Sequence, residues 1–203
     1  MQILKMSQNP QILEQSTHTI IVALSDTEIG KVILPNTFQF INVSTGKPVD
    51  FLGDSPTVES ERVALQYANG INDLMPKFIR KQTWQAEDGK DYDMMVIERL
   101  YPLPFNHFDV PTRTVMMAHF ERNLKELHDN HFVHGDLMRP TNFFTRDNKD
   151  WMFKNIIQTQ SGLRLIDAGF GTICEKGNIE LFVSILIRER KEMTYLKEFY
   201  LSY

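Results

Sequence analysis

His134-Gly135-Asp136-Leu137, then Asn142, then Ile166-Asp167-Ala168-Gly169, is the stretch that decides how this chain is read. An Asp on a tight loop can orient a hydroxyl nucleophile. An amide a few residues later and a second carboxylate can hold Mg²⁺ against nucleotide phosphates. The second Asp ends the apolar run Leu163-Arg164-Leu165-Ile166, and Gly169 permits a sharp exit from it. These are the groups that phosphoryl transfer to a hydroxyl requires.

Working outward, the flanking patterns supply elements that could carry such a loop. Met117, Phe120, Leu124 and Leu127 fall at helical spacing and predict a helix over residues 112–128, directly before the loop. Gln160-Ser161-Gly162 reads as a turn between two strands, near 155–160 and 163–166. Residues 179–200 read as a helix. Upstream, residues 18–24 and 31–34 are β-branched runs, with Ser25 to Gly30 between them as a turn. Phe38, Phe40 and Val43 suggest a further strand. Ser55 and Pro56 read as N-cap and first residue of a helix running to about Tyr67. Residues 77–85 and 92–100 form a second hairpin across Ala86 to Gly89. Tyr101-Pro102-Leu103-Pro104 interrupts the pattern.

The His134 to Gly169 stretch resembles the catalytic loop and Asp-Phe-Gly motif of the protein-kinase-like superfamily. Its His-Gly-Asp form, in place of His-Arg-Asp, is similar to the branch containing aminoglycoside and choline kinases and lipopolysaccharide-core sugar kinases. The resemblance covers roughly residues 18–170. It implies an α+β, two-lobe kinase-like fold, minimal, with a truncated C-terminal lobe. Residues 1–100 would be an N-terminal β-rich lobe with one helix, and residues 101–203 a mostly helical C-terminal lobe.

The resemblance also assigns roles. Asp136 would be the catalytic base or positioner of the acceptor hydroxyl, and Asp167 a Mg²⁺ ligand. The usual spacing puts the metal amide five residues after the Asp. Here that residue is Thr141 and the next is Asn142, so the loop either carries an extra residue or uses Thr141. Asn142, which leads into Phe143-Phe144, is the preferred ligand. His134 would bond backbone around the loop. Zinc binding by His128, His131 and His134 is the alternative their three-residue spacing raises.

Upstream, Glu61 lies on one helical face with Val58, Leu65 and Ala68, and a carboxylate there asks for a buried cation. Lys31 is the chosen phosphate-binding cation, with Lys47 as its competitor. The Glu98 carbonyl and Leu100 amide would hold adenine. ATP and Mg²⁺ are thus the implied cofactors, and a nucleotide and a hydroxyl-bearing acceptor the implied partners.

Composition bounds these readings. The chain has 203 residues, 42% hydrophobic and 24% charged, with a net charge of −4. That balance gives a nucleic-acid role no electrostatic support. Cys174 is the only cysteine, so neither an intrachain disulfide nor an all-thiolate metal site can form. No long apolar stretch suggests a leader or a membrane span, and a cytoplasmic setting is expected.

Two features depart from the resemblance. No G-x-G-x-x-G phosphate loop is present. Only 34 residues follow Gly169, too few for a peptide-docking platform. The reading is therefore a phosphotransferase acting on a small molecule, sugar or glycolipid. A catalytically weak or inactive kinase-like regulatory module is the alternative, and an atypical protein Ser/Thr kinase a second one. Arg188-Glu189-Arg190-Lys191 reads as a solvated helix face, with an anionic partner as its alternative.

Overall fold

The structure is a computed structural model that describes residues 10–16, 19–34, 40–41, 48–49, 57–86, 89–138 and 153–203. It divides into two compact units. The first holds residues 1–60 and 79–98, the second residues 61–78 and 99–203.

The first unit is built on a five-stranded sheet. Its strands are β1 (Gln11–Gln15), β2 (Thr19–Ala23), β3 (Glu28–Ile33), β6 (Phe78–Gln85) and β7 (Asp91–Glu98), in the order β1-β2-β3-β7-β6. Register explains its core. Ile20 sits opposite Val32, and Val32 opposite Met94; Val22 sits opposite Gly30, and Gly30 opposite Val96. Alternation puts these residues on one face, where Ile20, Val22, Val32, Met94 and Val96 form one buried cluster. Lys31 has the other parity, opposite Ile21 and Met95, and is buried despite its charge. Two short strands, β4 (Phe40–Ile41) and β5 (Pro48–Val49), pair antiparallel.

Gly30 departs from its expected place in a turn. It lies inside β3, and the turn is shorter, with the chain already in strand at Glu28. The glycine is a packing requirement here rather than punctuation. A Cβ at this position would collide with the Met94 side chain and come within 2.9 Å of Val22 Cγ2.

α1 (Val58–Asn69) starts later than the sequence suggests. Thr57 is its N-cap: Thr57 Oγ1 accepts from the Ser60 N–H at 3.0 Å, and Ser60 Oγ accepts from the Thr57 N–H at 2.9 Å. That reciprocal pair satisfies two backbone donors that a helix start otherwise leaves open. Ser55 and Pro56 lie outside the described residues.

The second unit is organised by two long helices. α2 (Val110–Asp129) is capped by Asp109, which accepts from the Thr112 N–H at 2.9 Å, and buries Met117, Phe120, Leu124 and Leu127 on one stripe. Its chain leaves through His131 in the left-handed region, φ 63°. β8 (Phe132–Val133) follows and pairs antiparallel with β11 (Thr172–Ile173). β9 (Ile156–Thr159) and β10 (Gly162–Leu165) form the expected hairpin. α3 (Ile179–Leu201) closes the unit and, like the others described, is not long and apolar enough to cross a membrane.

The far end of α3 is fixed by a buried cation. Arg113 of α2, 2% exposed, donates from Nη1 to the Tyr200 carbonyl and from Nη2 to the Tyr203 carbonyl at 2.9 Å. A helix C-terminus carries partial negative charge and open carbonyls, so it suits a guanidinium. The Tyr200 hydroxyl, pushed up to about 12 by burial, stays protonated and donates to Gln158 Oε1. Gln158 Nε2 then donates to the Pro104 carbonyl. Thus α2, α3, the hairpin and the Leu103-Pro104 segment share one buried polar network.

The packing at Gly30 yields a direct test. Gly30→Ala should lower unfolding stability by about 1–3 kcal/mol, the usual range for overpacking a filled core. Urea denaturation measures it. An unchanged midpoint would mean that Met94 moves aside freely.

Candidate active site

The loop after β8 begins with a peptide held from several sides. His134 is fully buried, and its Nε2–H donates to the Ile166 carbonyl at 2.9 Å. A carbonyl only accepts, so Nε2 carries the proton and Nδ1 is free to accept the Asp136 N–H, at 3.3 Å. The imidazole therefore ties the loop to the strand end that precedes Asp167. Among the described residues His128, His131 and His134 do not gather into a metal-holding group: His128 bonds Glu189 and His134 bonds the Ile166 carbonyl.

Gly135 follows in the left-handed region, φ 85°, with the Phe170 carbonyl so close that no Cβ fits. Both ends of its peptide are engaged by α3. Its N–H donates to Glu189 Oε1, and its carbonyl accepts from Arg188 Nη2. Glu189 is fully buried, and its other oxygen accepts from His128 Nε2 at 2.7 Å. Arg188-Glu189-Arg190-Lys191 is thus not a wholly solvated face: its glutamate points inward and joins α2 to the loop.

Asp136 is half-buried, and the residue that fixes it is Asn155. The Asn155 Nδ2 group donates to the Asp136 carbonyl at 2.9 Å and to Asp136 Oδ2 at 2.8 Å. Both partners are acceptors, which sets the amide orientation and leaves Oδ1 as the atom Asn155 can offer a cation. Asn155 is 3% exposed, and its own carbonyl accepts from the Ile166 N–H at 2.9 Å. Burial pushes the Asp136 carboxyl above the usual carboxylate range, Asn155 opposes that, and the negative charge of Asp167 adds to it. The two aspartates therefore lie within each other's field.

Asp167 adopts φ 64° and ψ 74°, left-handed backbone that a non-glycine residue rarely takes. Such a conformation costs on the order of 1–2 kcal/mol and persists only where the surroundings enforce it. Here the enforcing contacts are the bonds that His134 and Asn155 make to Ile166.

Asn142 and Thr141 lie outside the described residues, as does Lys47. The residue that sequence reasoning missed is Asn155, 19 positions after Asp136. A signal was present: Asn155 stands immediately before Ile156-Ile157, the first strand of the hairpin whose second strand leads to Asp167. In the second unit, Glu61 is buried at 1% exposure and Leu100 is half-buried. In the first, Lys31 is buried and Glu98 is the last residue of β7.

No protein-family model matches this chain, and no curated protein matches it in sequence. Solved structures do match in fold. One is the Legionella pneumophila Lpg2603 kinase bound to IP6, with a TM-score of 0.55 at 14% identity, covering 94% of this chain and 60% of that one. Another is the Rio2 kinase of Chaetomium thermophilum in an ADP/Mg²⁺-phosphoaspartate complex, with a TM-score of 0.54 at 15% identity, covering 95% and 56%. The chain therefore has a protein-kinase-like α+β fold. It spans less than two thirds of the length of these two structures.

One more acid belongs to this region. Glu192 of α3 is 6% exposed, and burial pushes its carboxyl up to about 7, against the cation of Arg188 and with the charges of Glu189 and Asp136 adding to the rise. An acid whose folded pKa exceeds its unfolded value of 4.5 binds more protons folded than unfolded between those two points. Its contribution therefore favours the fold at low pH and is lost as pH rises from about 4.5 to about 7. Glu192→Gln should remove that loss. Relative to wild type, the variant should gain on the order of 2 kcal/mol between about pH 5 and pH 8, measured by denaturant unfolding. A difference that does not vary with pH would place the Glu192 carboxyl at an ordinary pKa.

Proposed function

We propose that this chain is an ATP- and Mg²⁺-dependent phosphotransferase acting on a hydroxyl of a small molecule, sugar or glycolipid. The observation that carries the reading is the joined pair of Asp136 and Asp167. One carboxylate is half-buried and fixed by Asn155, the other is held in left-handed backbone, and each lies in the other's field. Asp136 would orient the acceptor hydroxyl and take up its proton, a task that a carboxyl raised by burial suits better than an ordinary one.

Hard cations prefer oxygen donors, and the Asp167 carboxylate with Asn155 Oδ1 supplies two of them. Mg²⁺ held there would neutralise charge on the transferred phosphoryl group. The amide role that the sequence offered to Asn142 or Thr141 is thus proposed for Asn155. ADP and Mg²⁺ in the Rio2 complex agree with this ligand chemistry. The roles of Lys31, Glu61, Glu98 and Leu100 rest on the sequence resemblance.

A second reading, a nucleotide-binding regulatory module with weak catalysis, is favoured by the β2–β3 turn. It has no glycine, and Ser25 Oγ already accepts from the Thr27 and Glu28 N–H groups at 3.2 and 3.1 Å. Amides so engaged are not presented to a phosphate.

Isothermal titration with ATP, with and without Mg²⁺, and turnover against a panel of hydroxyl acceptors test both readings. Asp136→Asn should cut turnover by roughly 10²-fold or more while leaving nucleotide affinity nearly unchanged. Asp167→Asn and Asn155→Ala should each weaken the Mg²⁺-dependent part of ATP binding. Metal-dependent binding without turnover on any acceptor would favour the regulatory reading. No ATP binding at all would remove both.

A further inference from the structure

A cavity of about 450 Å³ lies within the second unit, between the segment from Pro102 to Asn106 and residues 153–158. Its volume falls in the range of roughly 300–1,000 Å³ usual for small-molecule sites. Leu103, Phe105, Phe153 and Ile157 give it apolar walls, and the exposed Lys154 supplies a positive charge. The walls are fixed from behind. The Leu103 N–H donates to the Gln158 carbonyl at 2.7 Å, and Phe105 packs edge-on against Tyr200, ring centres 5.4 Å apart. The Gln158 amide has both ends engaged, one by Tyr200 and one by Pro104. A lining whose inner polar groups are already partnered offers a ligand apolar contact rather than hydrogen bonds.

This cavity adjoins the Asp136 carboxylate. Lys154 is followed by Asn155, whose Nδ2 lies 2.8 Å from Asp136 Oδ2. One peptide step, one asparagine side chain and that bond put the carboxylate within about 10 Å of the Lys154 Cα. The charge of Lys154 favours the ionised form of Asp136, so the ammonium and the carboxylate share one field.

We propose that this cavity is the acceptor pocket and that the acceptor is an anionic amphiphile: its apolar body seats against Leu103, Phe105 and Ile157, its anionic group meets Lys154, and its hydroxyl reaches Asp136. The functional meaning rests on the phosphotransferase reading above; binding of such a ligand in the cavity does not. A free sugar would leave the apolar walls uncovered and find few partners for its own hydroxyls there, which narrows the acceptor to a molecule with an apolar part. Asp136 would repel an anion brought close to it, and Lys154 offsets that repulsion. The lysine therefore discriminates between charged and neutral amphiphiles.

Isothermal titration of the full chain with ethyl, butyl and hexyl phosphate, with hexanol and with inorganic phosphate reads the cavity without any turnover. Affinity should rise by roughly fourfold for each methylene buried, and hexyl phosphate should bind more tightly than hexanol or inorganic phosphate. Lys154→Ala should weaken hexyl phosphate about three- to fivefold and leave hexanol unchanged. Ile157→Trp fills the cavity and should remove the dependence on chain length. An affinity indifferent to chain length, a dependence that survives Ile157→Trp, an unchanged affinity in Lys154→Ala, or displacement of hexyl phosphate by ATP would overturn the proposal. If Ile157→Trp does not fold, the chain-length series, Lys154→Ala and the ATP competition decide it. Chain-length-dependent binding in a protein that binds no ATP would keep the pocket and refute the enzyme reading. Mg²⁺-dependent ATP binding with no alkyl phosphate bound would do the opposite.

Discussion

The Gly135 peptide is gripped at both ends by α3, and much of the second unit is arranged around that grip. Its N–H needs an acceptor that water cannot supply in a buried place, and Glu189 is that acceptor. A buried carboxylate in turn needs a second donor, which His128 provides from the end of α2. The two long helices are thereby tied together through the loop they support. The stripe of Met117, Phe120, Leu124 and Leu127 supplies the apolar burial that makes this polar junction tolerable.

The other end of the same helix obeys a similar logic with reversed charge. Arg113 is buried, and the carbonyls of Tyr200 and Tyr203 at the end of α3 take its protons. One helix thus receives a peptide N–H and a histidine on the single side chain of Glu189 and a guanidinium on the carbonyls at its end. Between them, Gln158 connects Tyr200 to Pro104, so the hairpin leading to Asp167 is held in the same network.

Elements with a clear period or strong turn chemistry were legible in the sequence. α2, the β9–β10 hairpin, α3 and the pairing of His134 with backbone all stand where pattern and resemblance place them. Legibility failed where a residue had a reason that only packing reveals. Gly30 resembles a turn residue but is required by Met94 and Val22 on the sheet face. Glu189 sits among three basic residues, a context that signals solvent, and its burial follows from an open N–H many positions away. Asn155 was hidden by distance along the chain: a fixed spacing from Asp136 cannot find an amide that folding brings back across 19 residues. The start of α1 was missed because Thr57 and Ser60 share a capping duty that Ser55 and Pro56 mimic in sequence.

The left-handed backbone at Asp167 limits how this chain can drift. Few residue types accept φ 64° without strain; glycine does, and asparagine and aspartate do at modest cost. A lineage that ceased to need a carboxylate at this point could exchange it quietly for asparagine or glycine. Alanine, valine or leucine would disturb the turn as well as the charge, and selection for folding alone would resist them. Under the metal-binding role proposed for it, aspartate at this position answers to two pressures at once, one on backbone geometry and one on chemistry. The asparagine and glycine forms, where relatives carry them, would mark chains that kept the first pressure and lost the second.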